Sequence, residues 1–154
     1  YRAMITIYTD GSSRGNPGPG GWAAIILDEK TVKEIGGREE HTTNNRMELL
    51  AVIAGLEAIK KAGVPVTIIS DSKYVVDAVE KGWIWNWEKK GFKNKANVDL
   101  WKRFIPLYQK FKPKFNWIKG HNGHIENERC DQLAVAAANR GPLFTDEGYE
   151  LIRE

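Results

Sequence analysis

Apolar and small polar residues alternate through Met4-Ile5-Thr6-Ile7-Tyr8-Thr9, and this two-residue period predicts a strand over residues 4–10. Residues 11–21 hold five glycines and two prolines, a composition that predicts a loop. Strand patterns return at Trp22 to Leu27 and Thr31 to Arg38, with Asp28-Glu29-Lys30 between them as a turn, so an antiparallel meander is expected. The period then changes. From about Asn44 to Lys61, Met47, Leu50, Ala51, Ala54 and Ala58 form one apolar stripe, which Leu49, Val52, Ile53, Leu56 and Ile59 widen into the face of a mostly buried helix. Thr42 or Thr43 offers the N-cap, and Gly63 and Pro65 stop the helix.

Val66 to Ser70 reads as an interior parallel strand, and the order strand, helix, strand implies a right-handed crossover. Ser72 can cap a helix through Glu80, and one or two more helices reach Phe111. Phe115 to Ile118 is a short strand, Lys119 to Ile125 a loop and Glu126 to Arg140 the last helix. The expected class is therefore α/β: a mixed five-stranded sheet, an antiparallel meander followed by parallel strands, flanked by helices. At 154 residues the chain is expected to form a single domain over 1–154, with 141–154, four acids and one arginine, as a loose acidic tail.

Composition narrows the class of protein only slightly. Hydrophobic content of 42% and charged content of 28% are ordinary for a soluble globular chain and argue against general disorder. The single cysteine, Cys130, cannot form an internal disulfide, which fits a reducing compartment. No apolar run approaches a membrane span, and the N-terminus has neither the basic nor the apolar stretch of a signal peptide. A cytoplasmic protein with no membrane partner is expected.

Charge says more when it is located. The whole chain carries +3, but residues 81–103 hold seven basic residues (Lys81, Lys89, Lys90, Lys93, Lys95, Lys102, Arg103) against Glu88 and Asp99, an excess of five. The remainder is therefore slightly acidic. Four of the six tryptophans, Trp83, Trp85, Trp87 and Trp101, lie in the same stretch, with Phe92 among the lysines. Basic residues interleaved with aromatic rings suit a phosphate backbone and the sugars and bases beside it. The alternative is a pair of amphipathic helices with a solvated lysine face. Core packing is the better reading for Trp101, and the two readings balance for Trp83, Trp87 and Phe92.

Four carboxylates stand out by position. Asp10 and Asp71 close predicted strands, Glu48 lies about one turn into the long helix, and Asp131 sits in the last helix. In open α/β sheets the carboxyl edge of the strands is where ligands bind, so Asp10 and Asp71 face one crevice and the two helical acids can join them. Clustered carboxylates repel, and protons or hard cations must neutralise them. Oxygen ligands without convergent Cys or His indicate Mg²⁺ or Mn²⁺ rather than zinc. Each acid also has a bland reading: Asp71-Ser72 as a helix cap, Glu48 on a solvated face, Asp131 as a surface acid.

The wording of the motifs goes further than their spacing. Asp10-Gly11-Ser12, Gly15-Asn16-Pro17-Gly18-Pro19-Gly20-Gly21-Trp22-Ala23, Thr42-Thr43-Asn44-Asn45-Arg46-Met47-Glu48-Leu49, Ser70-Asp71-Ser72, Gly120-His121-Asn122-Gly123-His124 and Asn127-Glu128-Arg129-Cys130-Asp131 occur in unbroken order. Together they resemble the bacterial type 1 ribonuclease H family, from about Met4 to Asn139. The resemblance implies a ribonuclease H-like fold and endonucleolytic hydrolysis of the RNA strand of RNA/DNA hybrids, without sequence specificity, leaving 5′-phosphate and 3′-hydroxyl ends. It implies two Mg²⁺ ions, and in two-metal sites such ions lie about 3.5–4 Å apart. Asp10 would bridge the ions, Asp131 would serve the nucleophile side, and Glu48 and Asp71 the leaving-group ion. His121, flanked by Gly120 and Gly123, matches the family's mobile-loop histidine, with a role in proton transfer or product release.

Substrate contacts follow from the same resemblance. Asn16, Asn44 and Asn45 would read 2′-hydroxyls; the local alternatives are a helix cap for Asn44 and a turn for Asn16-Pro17, and the functional reading is favoured for Asn45 and Asn16, less so for Asn44. Thr43 with Asn97 resembles a pocket for a phosphate of the DNA strand. Trp83, Trp87 and Phe92 would line the DNA channel, with Lys89 and Lys90 in the basic arm of residues 81–103. A monomer suffices for one complete site. Two other classes compete: a strand-transfer or other nuclease of the same superfamily, and a hybrid-binding module without catalysis. The asparagines and the basic segment argue against the first, the intact acids against the second.

Overall fold

The computed structural model describes residues 4–28, 31–60, 63–119 and 125–140. Five strands, β1 (Ile5–Ser13), β2 (Gly18–Leu27), β3 (Val32–Thr42), β4 (Val66–Ser70) and β5 (Lys114–Trp117), form one sheet in the order β3-β2-β1-β4-β5. The first three pair antiparallel, whereas β4 runs parallel to both β1 and β5. The mixed sheet is the one expected. Helices α1 (Asn44–Glu57), α2 (Lys73–Glu80), α3 (Trp83–Lys89), α4 (Val98–Phe111) and α5 (Ile125–Arg140) complete the fold. No helix of the described residues is long and apolar enough to cross a membrane.

Strand alternation divides the apolar residues between two faces. Ile5, Ile7, Ala24, Ile26, Val66 and Ile68 join α1, α2 and α4 in the main core, where Leu49, Val52, Ile53 and Leu56 of α1 are fully buried. On the other face Ala23 and Ile25, with Tyr8 and Leu27 beside them, pack against Cys130, Leu133 and Ala134 of α5. α1 is thus apolar on nearly every side, as the widened stripe predicts. Trp101 is completely buried in the main core, edge-on to Phe104 at 5.7 Å.

Three expectations need correction. The glycine-rich segment is not a loop throughout, because β1 continues to Ser13 and β2 begins at Gly18, paired as Gly11↔Trp22, Ser12↔Gly21 and Ser13↔Gly20. The glycines serve close packing. A Cβ on Gly11 would overlap the backbone of Met47 and Glu48, and one on Gly21 would overlap that of Ala134 and Ala138. Second, β3 runs on to Thr42, its polar residues tolerated on an edge strand. Third, α1 ends at Glu57 rather than Lys61, closed by Ala58 N–H to Ala54 O and Ile59 N–H to Leu56 O.

Arginine forks tie helices to their neighbours. Arg46 of α1 grips Asp99 of α4 through two bonds of 2.9 and 2.8 Å, and Arg129 of α5 grips Glu34 of β3 at 2.9 and 3.1 Å. Bidentate pairs of this kind fix orientation more than they add stability at an exposed surface.

Candidate active site

The last paired residues of β1 and β4 are Thr9 and Ser70, so the next residue on each strand, Asp10 and Asp71, emerges side by side at the carboxyl edge. Neighbouring strands there are about 4.8 Å apart. Gly11 lets α1 press directly on this edge, and the backbone contact sets Glu48 beside Asp10. Thr43 caps α1 by accepting from Arg46 N–H at 3.3 Å, and Ser72 caps α2 by accepting from Val75 N–H at 3.3 Å. Both caps fix the helix starts next to the acids.

Asp10, Glu48 and Asp71 each bring a carboxylate oxygen within 4.8 Å of the others. Two of the three are nearly sealed from solvent, Asp10 at 4% exposure and Glu48 at 6%. Asp131 approaches from α5, its carboxyl within hydrogen-bonding reach of Asp10, so all four acids meet. The solvated-face reading of Glu48 and the surface reading of Asp131 both fail on these contacts. Asp71-Ser72 does cap a helix, through Ser72, while Asp71 itself joins the cluster.

Burial and like charge set the electrostatics. Burial first, then the charge of Asp71 and the hydrogen bond that protonated Asp10 donates to Asp131, push Asp10 from 3.8 to about 8, against one lowering contact from Gly11 N–H at 2.9 Å. Glu48 is raised well above the usual carboxylate range by burial and then by the charges of Asp10 and Asp71. The Cys130 thiol behind the cluster is pushed up by burial and by the same acids, so it stays protonated and inert. Glu48 Oε1 is buried with no hydrogen-bond partner among the described residues, and the Glu48 carboxylate belongs to the group it forms with Asp10 and Asp71. A hard divalent cation fits that donor set.

The predicted substrate residues fall into two groups. Asn16, Thr43, Asn44 and Asn45 gather at the start of α1, where Asn16 Oδ1 accepts from Asn44 N–H at 3.2 Å, leaving the Asn44 and Asn45 side chains exposed. Asn97 reaches the same place from the start of α4. Its Oδ1 accepts from Arg46 Nη1 at 3.4 Å and its Nδ2 donates to Tyr74 Oη at 3.0 Å. Arg46 thus links the start of α1 to the start of α4, its backbone N–H on Thr43 and its guanidinium on Asn97.

In the basic segment, Trp83 is 45% exposed with Lys81 Nζ 5.3 Å from its ring, and Lys89 and Lys90 are exposed. Trp87 is half-buried, edge-on to Trp101 at 5.8 Å and covered by Lys95 Nζ at 5.0 Å. Phe92 corrects the expectation. At 6% exposure it belongs to the main core, its backbone in the left-handed region at φ 58°, so it supports the segment from inside and offers no open ring. His121 and the tail 141–154 lie outside the described residues.

Sequence reasoning missed Arg46, Tyr74 and Trp117. Arg46 stands inside a quoted motif yet shows its role only through a partner 53 residues away, Asp99. Tyr74 accepts from both Asn97 Nδ2 and Trp101 Nε1, at 3.0 and 2.9 Å. Trp117 donates from Nε1 to the Asp71 carbonyl at 3.0 Å. Long-range side-chain bonds of this kind leave no periodic signal.

Buried carboxylates at the carboxyl edge of a mixed sheet, with no Cys or His in the cluster among the described residues, define a hard-cation enzyme site of the α/β class. The RNase H family model matches residues 2–139. A protein named Ribonuclease H from Trichodesmium erythraeum (strain IMS101) is 51% identical over 154 residues, covering 97% of this chain and 98% of that one. Among solved structures, LC9-RNase H1, described as a type 1 RNase H with the type 2 active-site motif, superposes with a TM-score of 0.81 at 30% identity, covering 99% of this chain and 81% of that one. LC11-RNase H1, solved in complex with an RNA/DNA hybrid, superposes with a TM-score of 0.67 at 27% identity, covering 89% and 98%. The chain belongs to the RNase H family.

Proposed function

We propose that this protein hydrolyses the RNA strand of RNA/DNA hybrids at the acidic cluster, with Mg²⁺ (Mn²⁺ as a substitute) as its ion. The observation that carries the reading is the convergence of Asp10, Glu48 and Asp71 within 4.8 Å, with Asp131 against Asp10. Divalent ions held by these acids would supply charge neutralisation for the scissile phosphate and ease deprotonation of the attacking water. Asp10, which touches every other acid, would be shared between the ions. Asp131 would hold the side of the attacking water, and Glu48 with Asp71 the side of the leaving 3′ oxygen. Cleavage in that direction leaves a 5′-phosphate and a 3′-hydroxyl.

The chain's own groups choose the substrate. Asn16, Asn44 and Asn45 carry amides that both donate and accept, which suits the 2′-hydroxyls exposed in the shallow groove of the hybrid. Thr43 and Asn97, each bonded to a different end of Arg46, carry polar groups that suit a phosphate of the DNA strand. Trp83 and Trp87, with Lys89 and Lys90, suit the DNA backbone and sugars across residues 81–103, while Phe92 holds that arm in shape. His121 would move a proton or assist product release. Backbone and shape are read, so no base sequence is preferred. The same reading takes 1–154 as one ribonuclease H domain acting as a monomer in the cytoplasm. One complete set of acids within one chain supports the monomer.

Uniformly labelled hybrid, double-stranded RNA and double-stranded DNA of one sequence test the proposal. Only the RNA strand of the hybrid should be cut. Equal cutting of double-stranded DNA overturns it.

A further inference from the structure

β5 is a four-residue edge strand, and its last residue, Trp117, is 43% exposed. An exposed indole on a strand this short contributes little to the core. Its contacts are all directed at one turn. Trp117 lies opposite Ser70 in the parallel register, and the ladder continues as Ile118 N–H to Ser70 O at 3.0 Å. One residue past the end of β4, Trp117 Nε1–H donates to the Asp71 carbonyl at 3.0 Å. The indole thus extends the ladder by one step with a side chain.

The rest of the turn is held from the other side. Ser70 Oγ accepts from Ser72 N–H at 3.0 Å, and Ser72 Oγ accepts from Val75 N–H at the start of α2. Lys73, the first residue of α2, lays its Nζ over the Trp117 ring at 4.8 Å and keeps the indole against the turn. With Ser72 anchored on one side and the carbonyl of Asp71 on the other, the backbone that aims the Asp71 carboxylate has little freedom.

We infer that Trp117 is a positioning residue: its indole N–H fixes the Asp71 backbone so that the carboxylate stays in register with Asp10 and Glu48 for a divalent ion. The inference rests on Asp71 being a metal ligand. Trp117→Phe removes the N–H and keeps an aromatic ring for Lys73. Losing one hydrogen bond of ordinary strength corresponds to a change of about 3- to 10-fold. The variant should lose that much in kcat on the hybrid, with KM within about two-fold of wild type. Calorimetric Mg²⁺ affinity without substrate should fall by a similar factor.

In the wild-type protein the ¹⁵N-indole resonance of Trp117 should move during a Mg²⁺ titration, with the midpoint of the calorimetric curve. This measurement stands even if the Phe variant fails to fold. Unchanged kcat and Mg²⁺ affinity in folded Trp117→Phe overturn the inference, as does a loss confined to KM or an indole signal indifferent to Mg²⁺. Asp71→Asn separates the two layers. If that variant keeps full Mg²⁺ affinity and activity, the metal-ligand reading itself fails; if it loses both while Trp117→Phe loses neither, only the positioning role does.

Discussion

Replacing Asp10 by Asn removes a carboxylate whose charge the fold penalises while keeping the shape of the side chain. Asp10 is raised from 3.8 to about 8, so without a metal ion the folded protein resists its ionisation and the unfolded chain does not. A carboxyl raised in this way favours folding fully below its unfolded value, and that contribution is lost as pH rises toward the folded value. Stability of the metal-free protein should therefore decline between about pH 4 and pH 8. At 1.36 kcal/mol per pH step, the penalty at pH 7 reaches at most about 4 kcal/mol. Asn lifts that penalty but leaves a buried amide to be satisfied by the oxygens of Glu48, Asp71 and Asp131, which we take to cancel about half of it.

A net gain of about 2 kcal/mol raises Tm by roughly 4–8 °C for a protein of this size. Scanning calorimetry in excess chelator at about pH 5, 7 and 8.5 reads it directly. Wild type should lose Tm steadily up that series, and Asp10→Asn should fall less steeply, with Glu48 still resisting ionisation, so the gap widens with pH. A variant that melts below wild type at pH 7, or a gap independent of pH, refutes the electrostatic argument. Added Mg²⁺ should restore the wild type and do little for the variant.

The remaining predictions concern packing and the basic arm. Gly11→Ala forces a methyl against the Met47–Glu48 backbone and should cost about 1–3 kcal/mol while displacing Glu48, read as a lower Tm together with weaker Mg²⁺ binding; an unaltered Tm contradicts the close approach. Neutralising the exposed Lys89, Lys90 and Lys93 should weaken hybrid binding and reduce the slope of log K against log salt by about 2–3, with turnover at saturation nearly unchanged. An unchanged slope returns those lysines to a solvated face.

The elements that place the acids were the ones most visible in the sequence. The period-2 run ending at Asp10, the run ending at Asp71, and the caps Thr43 and Ser72 all depend on local pattern, and the structure keeps them. The glycine-rich hairpin was hidden because glycine signals a turn by its own freedom, whereas Gly11 and Gly21 are here because helices press against the strands, a long-range fact. Among its lysine neighbours Phe92 read equally well as a core or a binding ring, and a left-handed turn carries it inward. Arg46 and Trp117 act across 53 and 46 residues of sequence, and only the folded chain brings them to their partners.

The central claim is that one buried carboxylate cluster binds divalent ions and cuts RNA paired to DNA. A Mg²⁺ titration of cleavage on end-labelled hybrid, run in parallel with wild type and the folded Asp10→Asn protein, tests it most directly. Wild type should give Mg²⁺-dependent RNA-strand products ending in 3′-hydroxyls and none in chelator, and the variant should lose at least about a thousand-fold. Cleavage that survives chelation, or robust cutting by Asp10→Asn, contradicts it.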